Sequence, residues 1–461
     1  MFVGRRHELE SLARLYDADK FQCVAIYGRR HIGKTALISE FIKDKETVYF
    51  TALETNAKEN LENLSRSIFA LSKDFPGLAP RFSDYSEAFE AVFSAAEARR
   101  VVLVIDEYPY LASSCKGVAS LLQSCVDRHR GASKLFVILC GASAAFMETH
   151  LLGSKSPLYG RMSAQFKIAP LDYAQAKSYF GGGFSGADTA LLYGVTGGIP
   201  LYMSLIDRSM SVADNIKAGF LSPSGYLFEE PGSLVKLEFR EPAQYNAIIK
   251  AVARGASKLS EISRAVGLET ALCSAYISKL ISIGVLDKER PFGEDTSKRT
   301  VYALRDGTLR FWYRFVSDNI SLIQRGGADL AYSLIEPGIP AFMRPVFEEI
   351  CKQYLWRQNV TGRAPVLFNR AGRWWGNYDG KRDEFELDII ASDGGGAIFC
   401  ACEWADGPMD SRSLDVLIEK SAQFKYKKKF YYLFSKAGFT ENTKKRASQS
   451  NQITLAHFDV L

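Results

Sequence analysis

The segment from Gly28 to Thr35 constrains the possible fold of this chain more than any other stretch. It reads GRRHIGKT, follows a short β-rich run at 21–27 and opens a helical stretch at 35–43. Glycines let the backbone curl so that consecutive N–H groups point at one oxyanion, and the positive end of the helix dipole adds to their attraction. A loop with this spacing between a strand and a helix is typical of a triphosphate site.

The residue types within this loop predict separate roles. We expect Lys34 to reach the β- and γ-phosphates, and we expect the Thr35 hydroxyl to ligate Mg²⁺. A glycine turn that only precedes a helix is the alternative interpretation. The residues of this segment that are predicted to bind nucleotide are Gly28, Arg29, Arg30, His31, Ile32, Gly33, Lys34, Thr35 and Ala36.

A second pattern lies about seventy residues further on, where the apolar run VVLVI at 101–105 ends in Asp106 and Glu107. Open α/β sheets bind ligands at the carboxyl ends of their strands. We therefore expect Asp106 to hold Mg²⁺ and Glu107 to orient and polarise the attacking water. A further run at 135–140 leads to Ser143, which is predicted to sense the γ-phosphate, with a simple serine turn as the alternative.

The apolar runs themselves predict the fold class. Runs without polar alternation, at 21–27, 101–105 and 135–140, are typical of strands that are buried on both faces. Helical stretches separate them, and this order favours an α/β fold with a parallel sheet. Three helices followed by a strand pair between 242 and 304 match a winged helix-turn-helix.

Composition excludes several classes of protein. The chain has 461 residues, 47% of them hydrophobic and 24% charged, which excludes a disordered, collagen-like or disulfide-framework protein. It has no apolar run of about 18 residues and no apolar signal core, so we expect a cytoplasmic protein without a membrane partner. The net charge of +6 permits nucleic acid as a partner but does not require it.

Further short motifs are spread along nearly the whole chain: FVGR with Glu8-Leu9 at 2–9, YGRR and GKT at 27–35, SPLYGR at 156–161, GGIPLY at 197–202, EPG at 230–232, FWYRF at 311–315 and GRWWG at 372–376. Together they resemble the archaeal-type P-loop ATPases, which are related to AAA+ and STAND proteins. Many members of that family carry a winged helix and a C-terminal domain related to restriction endonucleases.

The resemblance implies ATP as the nucleotide and adds candidate site residues. It implies that Pro200 lines the nucleotide side of a helical lid. It also implies that Arg161 lies near the γ-phosphate, in cis or from a neighbouring subunit, with a structural arginine as the alternative. The N-terminal box that packs near the adenine comprises Phe2, Val3, Gly4 and Arg5.

On the winged-helix interpretation, the stretch 270–283 is the recognition helix, and it carries Lys279. The loop 290–300 is then the wing, with Lys298 and Arg299 available to phosphate. DNA is one expected partner of such a module. A protein-contact or hinge module is the alternative, with another protein or a second copy of the chain as its partner.

For the C-terminal region, the resemblance implies a PD-(D/E)xK nuclease fold. That chemistry needs a strand-borne Asp, then Glu and Lys two residues apart on the next strand. Asp388 supplies the first group, but Ala401 stands where the acid is expected and Glu403 where the lysine is expected. We therefore predict a degenerate, binding-only domain whose remaining site comprises Glu349, Asp388 and Glu403; an intact nuclease is the alternative.

The predicted fold is thus α/β: a P-loop NTPase core with a parallel sheet at 1–175, a helical lid at 176–235, a winged helix-turn-helix at 236–310, linker helices at 311–340 and a restriction-endonuclease-like α/β domain at 341–461. We predict an ATP-binding protein with slow Mg²⁺-dependent hydrolysis, coupled to DNA or protein binding. A non-hydrolysing, nucleotide-gated DNA-binding regulator and an ATP-dependent DNA-processing nuclease are the alternatives. The predicted catalytic residues are Lys34, Glu107, Ser143 and Arg161.

Overall fold

The computed structural model describes residues 2–70, 81–239, 241–377 and 384–461. The chain forms two compact units. The N-terminal unit comprises Met1–Leu171 with Ile199–Leu201, and the C-terminal unit comprises Asp172–Gly198 with Tyr202–Leu461. In the described part of the chain, no helix combines the length and the apolar character needed to cross a membrane.

The N-terminal unit is built on a five-stranded sheet. Its strands are β1 (Gln22–Tyr27), β2 (Thr47–Thr51), β3 (Val102–Asp106), β4 (Phe136–Gly141) and β5 (Ala164–Lys167). Its helices are α1 (Arg6–Asp17), α2 (Lys34–Ile42), α3 (Ala57–Phe69), α4 (Tyr85–Ala98), α5 (Tyr108–Ser114), α6 (Val118–His129) and α7 (Ala144–Phe146), the last continued by a π-helical turn, Met147–Leu151. The strand order is β2-β3-β4-β1-β5, and every neighbouring pair is parallel.

Burial explains why this sheet is parallel and central. Every residue of β1, β3 and β4 is buried, and apolar clusters cover both faces of the sheet. Strands buried on both faces need apolar residues at consecutive positions, which is the pattern the sequence has. The predicted parallel α/β fold is therefore confirmed. The short strand β5 was not predicted, because its burial alternates and it has no apolar run.

The C-terminal unit begins with helices and passes through a short hairpin. The helices are α8 (Tyr173–Phe180), α9 (Gly186–Thr196), α10 (Pro200–Ser204, which contains the boundary between the units), α11 (Val212–Phe220), α12 (Tyr226–Glu238), α13 (Pro242–Ala253), α14 (Leu259–Val266) and α15 (Thr270–Ser282). The hairpin pairs β6 (Leu286–Glu289) with β7 (Val301–Leu304) in antiparallel register. Three helices and a hairpin thus follow one another in the predicted order.

The rest of the C-terminal unit is a helical segment followed by a mixed sheet. The helices are α16 (Gly307–Phe311, continued by a π-helical turn, Trp312–Val316), α17 (Ile320–Gln324), α18 (Ala328–Ile335), α19 (Ile339–Val360), α20 (Ser411–Ser421) and α21 (Glu441–Ser448). The strands are β8 (Arg370–Asn377), β9 (Glu384–Ser392), β10 (Gly396–Glu403), β11 (Lys428–Ser435) and β12 (Ile453–His457). Their order is β12-β11-β10-β9-β8, with β10, β11 and β12 parallel and β8, β9 and β10 antiparallel.

Candidate functional site

The loop between β1 and α2 has a backbone that only glycine suits at its two ends. At Gly28 an added Cβ would lie 2.5 Å from the carbonyl oxygen of Ile168, so no side chain fits there. Gly33 has φ 90° and is the N-cap of α2. That left-handed conformation is strained for other residues. The glycines therefore set the shape of the loop at the N-terminus of α2, whose first N–H groups lack intrahelical acceptors.

Lys34 turns its ammonium group back onto this loop. Its Nζ donates hydrogen bonds to the carbonyl oxygens of Gly28 and Arg29, each at 3.0 Å. The side chain is buried, and this burial lowers the pKa of Lys34. A buried cation that donates to neutral carbonyls gains strongly when an oxyanion becomes available, because charge-assisted hydrogen bonds are stronger than neutral ones.

The Asp106 carboxylate gathers three donors at the end of β3. Its Oδ2 accepts from Thr35 Oγ1 at 3.2 Å and from the Tyr49 hydroxyl at 2.7 Å, and its Oδ1 accepts from the backbone N–H of Glu107 at 2.9 Å. The structure thus brings together the two residues that were predicted to hold Mg²⁺. A hydroxyl and a carboxylate oxygen are the hard donors that this ion prefers, so the residues fit the ion.

Tyr49 and Cys140 at this site were not found by sequence reasoning. Burial and the neighbouring Asp106 carboxylate raise the pKa of Tyr49, so its hydroxyl remains a neutral donor. Burial also raises the pKa of Cys140, at the end of β4, whose thiol lies beside Asp106 and Lys34. The strand TVYFT could only have shown that Tyr49 is half-buried, because the reach of its hydroxyl to Asp106 depends on the pairing of β2 with β3.

Glu107 and Ser143 follow two neighbouring strands. Glu107 precedes α5 with φ 51°, an uncommon conformation for a residue other than glycine, and its carboxylate interacts electrostatically with Lys34. The Ser143 hydroxyl accepts a hydrogen bond from the backbone N–H of Phe146 at 3.3 Å and so caps α7. That contact is the one expected of the serine-turn alternative.

Arg161 forms a two-pronged ion pair with Asp127. The Nε and one terminal nitrogen of its guanidinium lie 2.8 Å from the two carboxylate oxygens, and the other terminal nitrogen donates to the Pro157 carbonyl at 3.0 Å. Among the described residues, its remaining polar contact is the Tyr159 carbonyl at 3.3 Å. In this structure Arg161 is therefore engaged as a structural arginine.

The N-terminal box joins the loop through Arg5. The buried Arg5 guanidinium donates to the carbonyl oxygens of Ile32 at 3.2 Å and Ala169 at 2.5 Å. Pro200 lies beside Gly33, with its Cγ 3.5 Å from the position that a Cβ on that glycine would occupy. The predicted box, loop and proline therefore come together within the N-terminal unit.

The other predicted nucleotide-binding residues lie around the same loop. Phe2 packs against the apolar cluster on the α2 face of the sheet, and Arg30 donates to the Tyr110 hydroxyl at 2.7 Å. Ala36 is exposed on the first turn of α2, whereas Ile32 is buried. His31 has φ 67°, which is again uncommon for its residue type.

A second cluster of titratable groups surrounds Asp388 in the C-terminal unit. Asp388 Oδ2 accepts a hydrogen bond from the backbone N–H of Cys402 at 2.7 Å. Glu348 of α19 lies close enough for its carboxylate and Asp388 to repel each other. Burial raises the pKa of Asp388, and burial together with Asp388 raises the pKa of Glu348 to about 7.

The predicted role of Glu349 in this cluster is wrong by one residue. Glu348 faces Asp388, while Glu349 Oε1 accepts from Gln353 at 3.3 Å and the same carboxylate pairs with Lys352. Successive residues of an α-helix point about 100° apart, so the neighbouring carboxylate faces a different side. The helical pattern of 339–360 did not distinguish the two.

The predicted role of Glu403 is also wrong, because the strand register differs. Ala401 packs in the apolar cluster on the α20 side of the sheet, and alternation places Glu403 on that same side. The Cys402 thiol instead lies within hydrogen-bond range of Cys351 on α19, the side to which Asp388 turns. The positions that face Asp388 are thus occupied by cysteines. Within the described residues, no group of three or more His, Cys, Asp or Glu side chains has a metal-holding arrangement.

A bulge causes the change of register. Gly372 of β8 pairs with Ile390, but Trp374 pairs with Leu387, so β9 has one extra residue between these pairs. Leu387 and Ile390 consequently both face the α20-side cluster although they are three residues apart. Bulges shift alternation in this way, and no local sequence pattern marks this one.

Arg373 connects this cluster to the β6–β7 hairpin. Its guanidinium lies 3.2 Å from Glu386, 3.7 Å from Glu348 and 3.8 Å from Glu289 of β6. Phe292, just beyond β6, donates its backbone N–H to the Arg373 carbonyl at 2.8 Å. Part of the GRWWG motif therefore holds the hairpin against the mixed sheet.

Of the two cations expected to be available to phosphate, Lys298 is exposed, whereas a partner engages Arg299. Its guanidinium pairs with Glu294 and lies 5.4 Å above the Trp374 ring, and Trp374 Nε1 donates to Glu294 at 3.2 Å. A second pair joins Arg370 to Asp295 at 2.5 Å. The loop that was predicted as a free wing is docked on β8, because its charges find partners there.

The pH dependence of stability should report on Glu348. Since the pKa of Glu348 is about 7 in the folded chain against 4.5 for the free side chain, the folded state binds more protons between these values. The free energy of unfolding should therefore fall as the pH rises through this window. In Glu348→Gln, we expect the free energy of unfolding to fall between pH 5.5 and 7.5 by roughly 1–2 kcal/mol less than in the parent, as measured by urea unfolding. Glu349→Gln is the control, and equal slopes in parent and Glu348→Gln would contradict the assignment.

Two family models match separate parts of the chain. An ATPase domain described as predominantly from archaea matches residues 2–206, and a domain of archaeal and bacterial proteins of unknown function matches residues 312–419. The first match contains the loop, Asp106 and Pro200. The second contains Arg314, α19, Arg373 and Asp388.

Similar proteins support these matches. The uncharacterized protein MJECL04 of Methanocaldococcus jannaschii is 31% identical over 409 residues, which cover 88% of each chain. The uncharacterized ATP-binding protein MJ0423 of the same organism is 46% identical over 46 residues, covering 10% of this chain and 78% of that protein. The Walker-type ATPase PABY2304 of Pyrococcus abyssi has a similar fold, with a TM-score of 0.55 at 18% identity over 68% of this chain and 96% of that one. The chain therefore belongs to the family of P-loop proteins that join an ATPase domain found predominantly in archaea to a C-terminal domain of unknown function.

Proposed function

We propose that this chain binds and slowly hydrolyses ATP and that its C-terminal unit responds to the bound nucleotide by contacting a protein partner. The observation that carries the ATPase part is the meeting of Lys34, Thr35 and Asp106 at one edge of the parallel sheet. Thr35 Oγ1 lies 3.2 Å from Asp106 Oδ2. Lys34 Nζ donates a hydrogen bond to the Gly28 carbonyl oxygen of the same loop.

In this mechanism, the loop N–H groups and the Lys34 ammonium bind the β- and γ-phosphates. Thr35 and Asp106 would hold Mg²⁺, which would supply charge compensation at the transferring phosphoryl group. Glu107 accepts the proton of the attacking water. Arg161 needs to leave Asp127 before its guanidinium can approach phosphate, so hydrolysis by the resting chain is expected to be slow.

Tyr49 is proposed to position the Asp106 carboxylate. Tyr49→Phe removes the 2.7 Å hydrogen bond and leaves Asp106 held by the longer bonds from Thr35 and the Glu107 N–H. Because such supporting groups typically contribute about 10- to 100-fold to metal affinity or activity, we expect the Mg²⁺ concentration for half-maximal hydrolysis to rise by about tenfold. ATP affinity without Mg²⁺ should stay within about twofold of the parent, since a hydroxyl that touches no phosphate contributes little to it.

The control for this variant is Tyr85→Phe, which also removes a buried hydroxyl, one that donates to the Ala57 carbonyl at 2.8 Å. Tyr85→Phe should keep the parent's Mg²⁺ dependence. The same Mg²⁺ dependence in Tyr49→Phe and Tyr85→Phe would show that Tyr49 has no positioning role.

The observations on the hairpin and on α15 favour a protein partner over DNA. On the winged-helix interpretation, α15 would face the partner, and the residues exposed on it include Ala271, Ala275, Ser278 and one cation, Lys279. DNA recognition usually relies on a basic stripe. In the hairpin loop, Arg299 is engaged with Glu294 and Trp374, which leaves Arg290 and Lys298 as the loop cations without an ion pair in the described chain.

The C-terminal mixed sheet is proposed to bind without cutting. A nuclease site of this type needs a second acid and a lysine next to the strand-borne Asp. Here Glu348 of α19 lies near Asp388, but the positions of β10 on that face are the neutral thiols of Cys400 and Cys402, whose pKa values burial raises. Metal-dependent DNA cleavage by the purified chain, lost in Asp388→Ala, would overturn this part of the proposal.

The test is a phosphate-release assay with and without duplex DNA. We expect slow, Mg²⁺-dependent release that DNA changes by less than about twofold. Clear stimulation by DNA would replace the protein partner with DNA. Tight ATP binding without any phosphate release would instead identify a nucleotide-gated regulator, the alternative function that the Arg161–Asp127 ion pair favours.

A further inference from the structure

Arg310, directly before the FWYRF motif, carries a buried group without a partner. Its Nε is shielded from solvent and has no hydrogen-bond partner among the described residues, while the side chain as a whole is partly exposed. The guanidinium lies 5.0 Å from the centre of the Phe342 ring on α19. Burying an ion without an acceptor is costly, and a contact with a ring face offsets only part of that cost. The side chain is therefore held in an unfavourable environment by the surrounding fold.

Arg314 lies one turn further on, in the π-helical turn Trp312–Val316. Its guanidinium lies 5.3 Å from the Phe315 ring centre. Over the described parts of the chain, neither Arg310 nor Arg314 has a carboxylate within 4.0 Å. Each arginine is near enough to influence the other, so the two cations repel one another.

The carboxylates nearest to Arg310 are engaged elsewhere. Glu348 pairs with Arg344 at 3.6 Å and with Arg373 at 3.7 Å. Glu349 pairs with Lys352 and accepts from Gln353. Both carboxylates act on Arg310 electrostatically, but neither forms an ion pair with it in the described chain.

A neutral hydrogen-bond donor, the Tyr193 hydroxyl, lies near Arg310. The Tyr193 hydroxyl is buried, accepts a hydrogen bond from Gln353 Nε2 at 3.0 Å and interacts electrostatically with Arg310. Among the described residues, no acceptor is found for its own hydrogen. Burial and Arg314 lower the pKa of Arg310 to about 10, so the guanidinium is still charged at neutral pH and still requires a counter-ion.

We propose that Arg310 and Arg314, with the Tyr193 hydroxyl, form a binding site for a phosphate group. Two guanidinium groups and a phenol offer more donors than the two oxygens of a carboxylate accept, and the planar donor pairs of arginine match phosphate oxygens. The burial of Arg310 points to a small phosphate-bearing molecule; the phosphodiester of a nucleic acid is the other source of the same chemistry. This site is separate from the loop of Gly28–Thr35 and does not depend on ATP hydrolysis.

The experiment uses the full chain carrying Lys34→Ala, so that the first phosphate site is disabled. Inorganic phosphate is titrated against chloride at matched ionic strength, with calorimetry and the thermal midpoint as readouts. We expect saturable binding and a higher midpoint with phosphate. Adding Arg310→Met or Arg314→Gln should weaken binding at least about tenfold, because each removes a charge-assisted hydrogen bond. Arg325→Gln, which removes an exposed arginine without ion-pair contacts in the described chain, should leave it unchanged.

A duplex DNA arm distinguishes the two sources of phosphate. If the ligand is a small molecule, DNA affinity is the same with and without Arg314→Gln; if it is nucleic acid, Arg314→Gln weakens DNA binding and phosphate competes with the duplex. Arg314 is partly exposed, so Arg314→Gln decides the question even if Arg310→Met does not fold. The proposal is overturned if phosphate has the same effect as chloride. It is also overturned if phosphate binds the chain with Arg314→Gln as tightly as the chain that carries Lys34→Ala alone.

Discussion

Lys34→Ala is expected to abolish ATP binding, with affinity falling at least about a hundredfold. The ammonium group is buried and, among the described residues, donates to the carbonyl oxygens of Gly28 and Arg29, so its attraction to a triphosphate is little screened by water. Removing one partner of a buried charge pair costs about 2–5 kcal/mol or more, and each 1.4 kcal/mol is tenfold in affinity. Equilibrium binding of a fluorescent ATP analogue and isothermal titration calorimetry measure the change.

Lys58→Ala is the matched control for this experiment. Lys58 is exposed on α3, within the same unit, and alanine is a good helix former. The control should bind ATP as the parent does. Thermal unfolding without nucleotide shows whether Lys34→Ala is folded. ATP binding by folded Lys34→Ala with the parent's affinity would mean that the loop is not the nucleotide site.

Glu107→Gln is expected to retain ATP binding while its hydrolysis falls by about 10²- to 10³-fold. The amide keeps the size of the side chain and the hydrogen bond from the Glu107 N–H to Asp106, but it cannot accept a proton from water. General base catalysis contributes about 10²- to 10⁴-fold in enzymes, and this range sets the expected loss. Single-turnover phosphate release measures hydrolysis, and nucleotide retention after gel filtration measures the trapped complex.

Glu54→Gln serves as the control because Glu54 is an exposed carboxylate of the same unit. It should release phosphate at the parent's rate. If Glu107→Gln also releases phosphate at that rate, Glu107 is not the base, and the base has to be sought among the other groups around Asp106. Lys34→Ala and Glu107→Gln therefore separate binding from chemistry.

The fold of the N-terminal unit and most of its site follow from local patterns. The apolar runs that form β1, β3 and β4 need no partner information to be recognised as buried strands. The loop Gly28–Thr35 is one continuous segment, so its residues are brought together by the chain itself. Asp106 and Glu107 end a strand of the same sheet, and parallel strands carry their carboxyl ends to one edge.

Most of the contacts that sequence reasoning missed join residues that are far apart in the chain; the Arg299–Glu294 pair, five residues apart, is the exception. Tyr49 reaches Asp106 through the pairing of β2 with β3. Arg299 meets Glu294 and Trp374 because the hairpin loop docks on β8. Arg161 finds Asp127, thirty-four residues earlier, on α6. The packing of the helices and strands determines each of these partners. Charge or side-chain type alone is compatible with several other partners.

The cluster around Asp388 in the C-terminal unit shows most clearly what could not be predicted from the sequence. A single extra residue in β9 changes which side chains face Asp388, and one step along α19 replaces Glu349 by Glu348. Side-chain direction reverses with each residue in a strand and turns by about 100° in a helix, so an error of one residue moves a carboxylate to another face.

The amino-acid sequence alone determined the element types, the parallel sheet and the phosphate-type loop, since these depend on apolar periodicity and on glycines at fixed spacing. Only the tertiary structure decided which distant side chains pair, because register, bulges and docking are set by the packing of whole elements. The environment of Arg310 belongs to this second group, since nothing in the FWYRF motif or its neighbours shows that its Nε is shielded without a hydrogen-bond partner among the described residues.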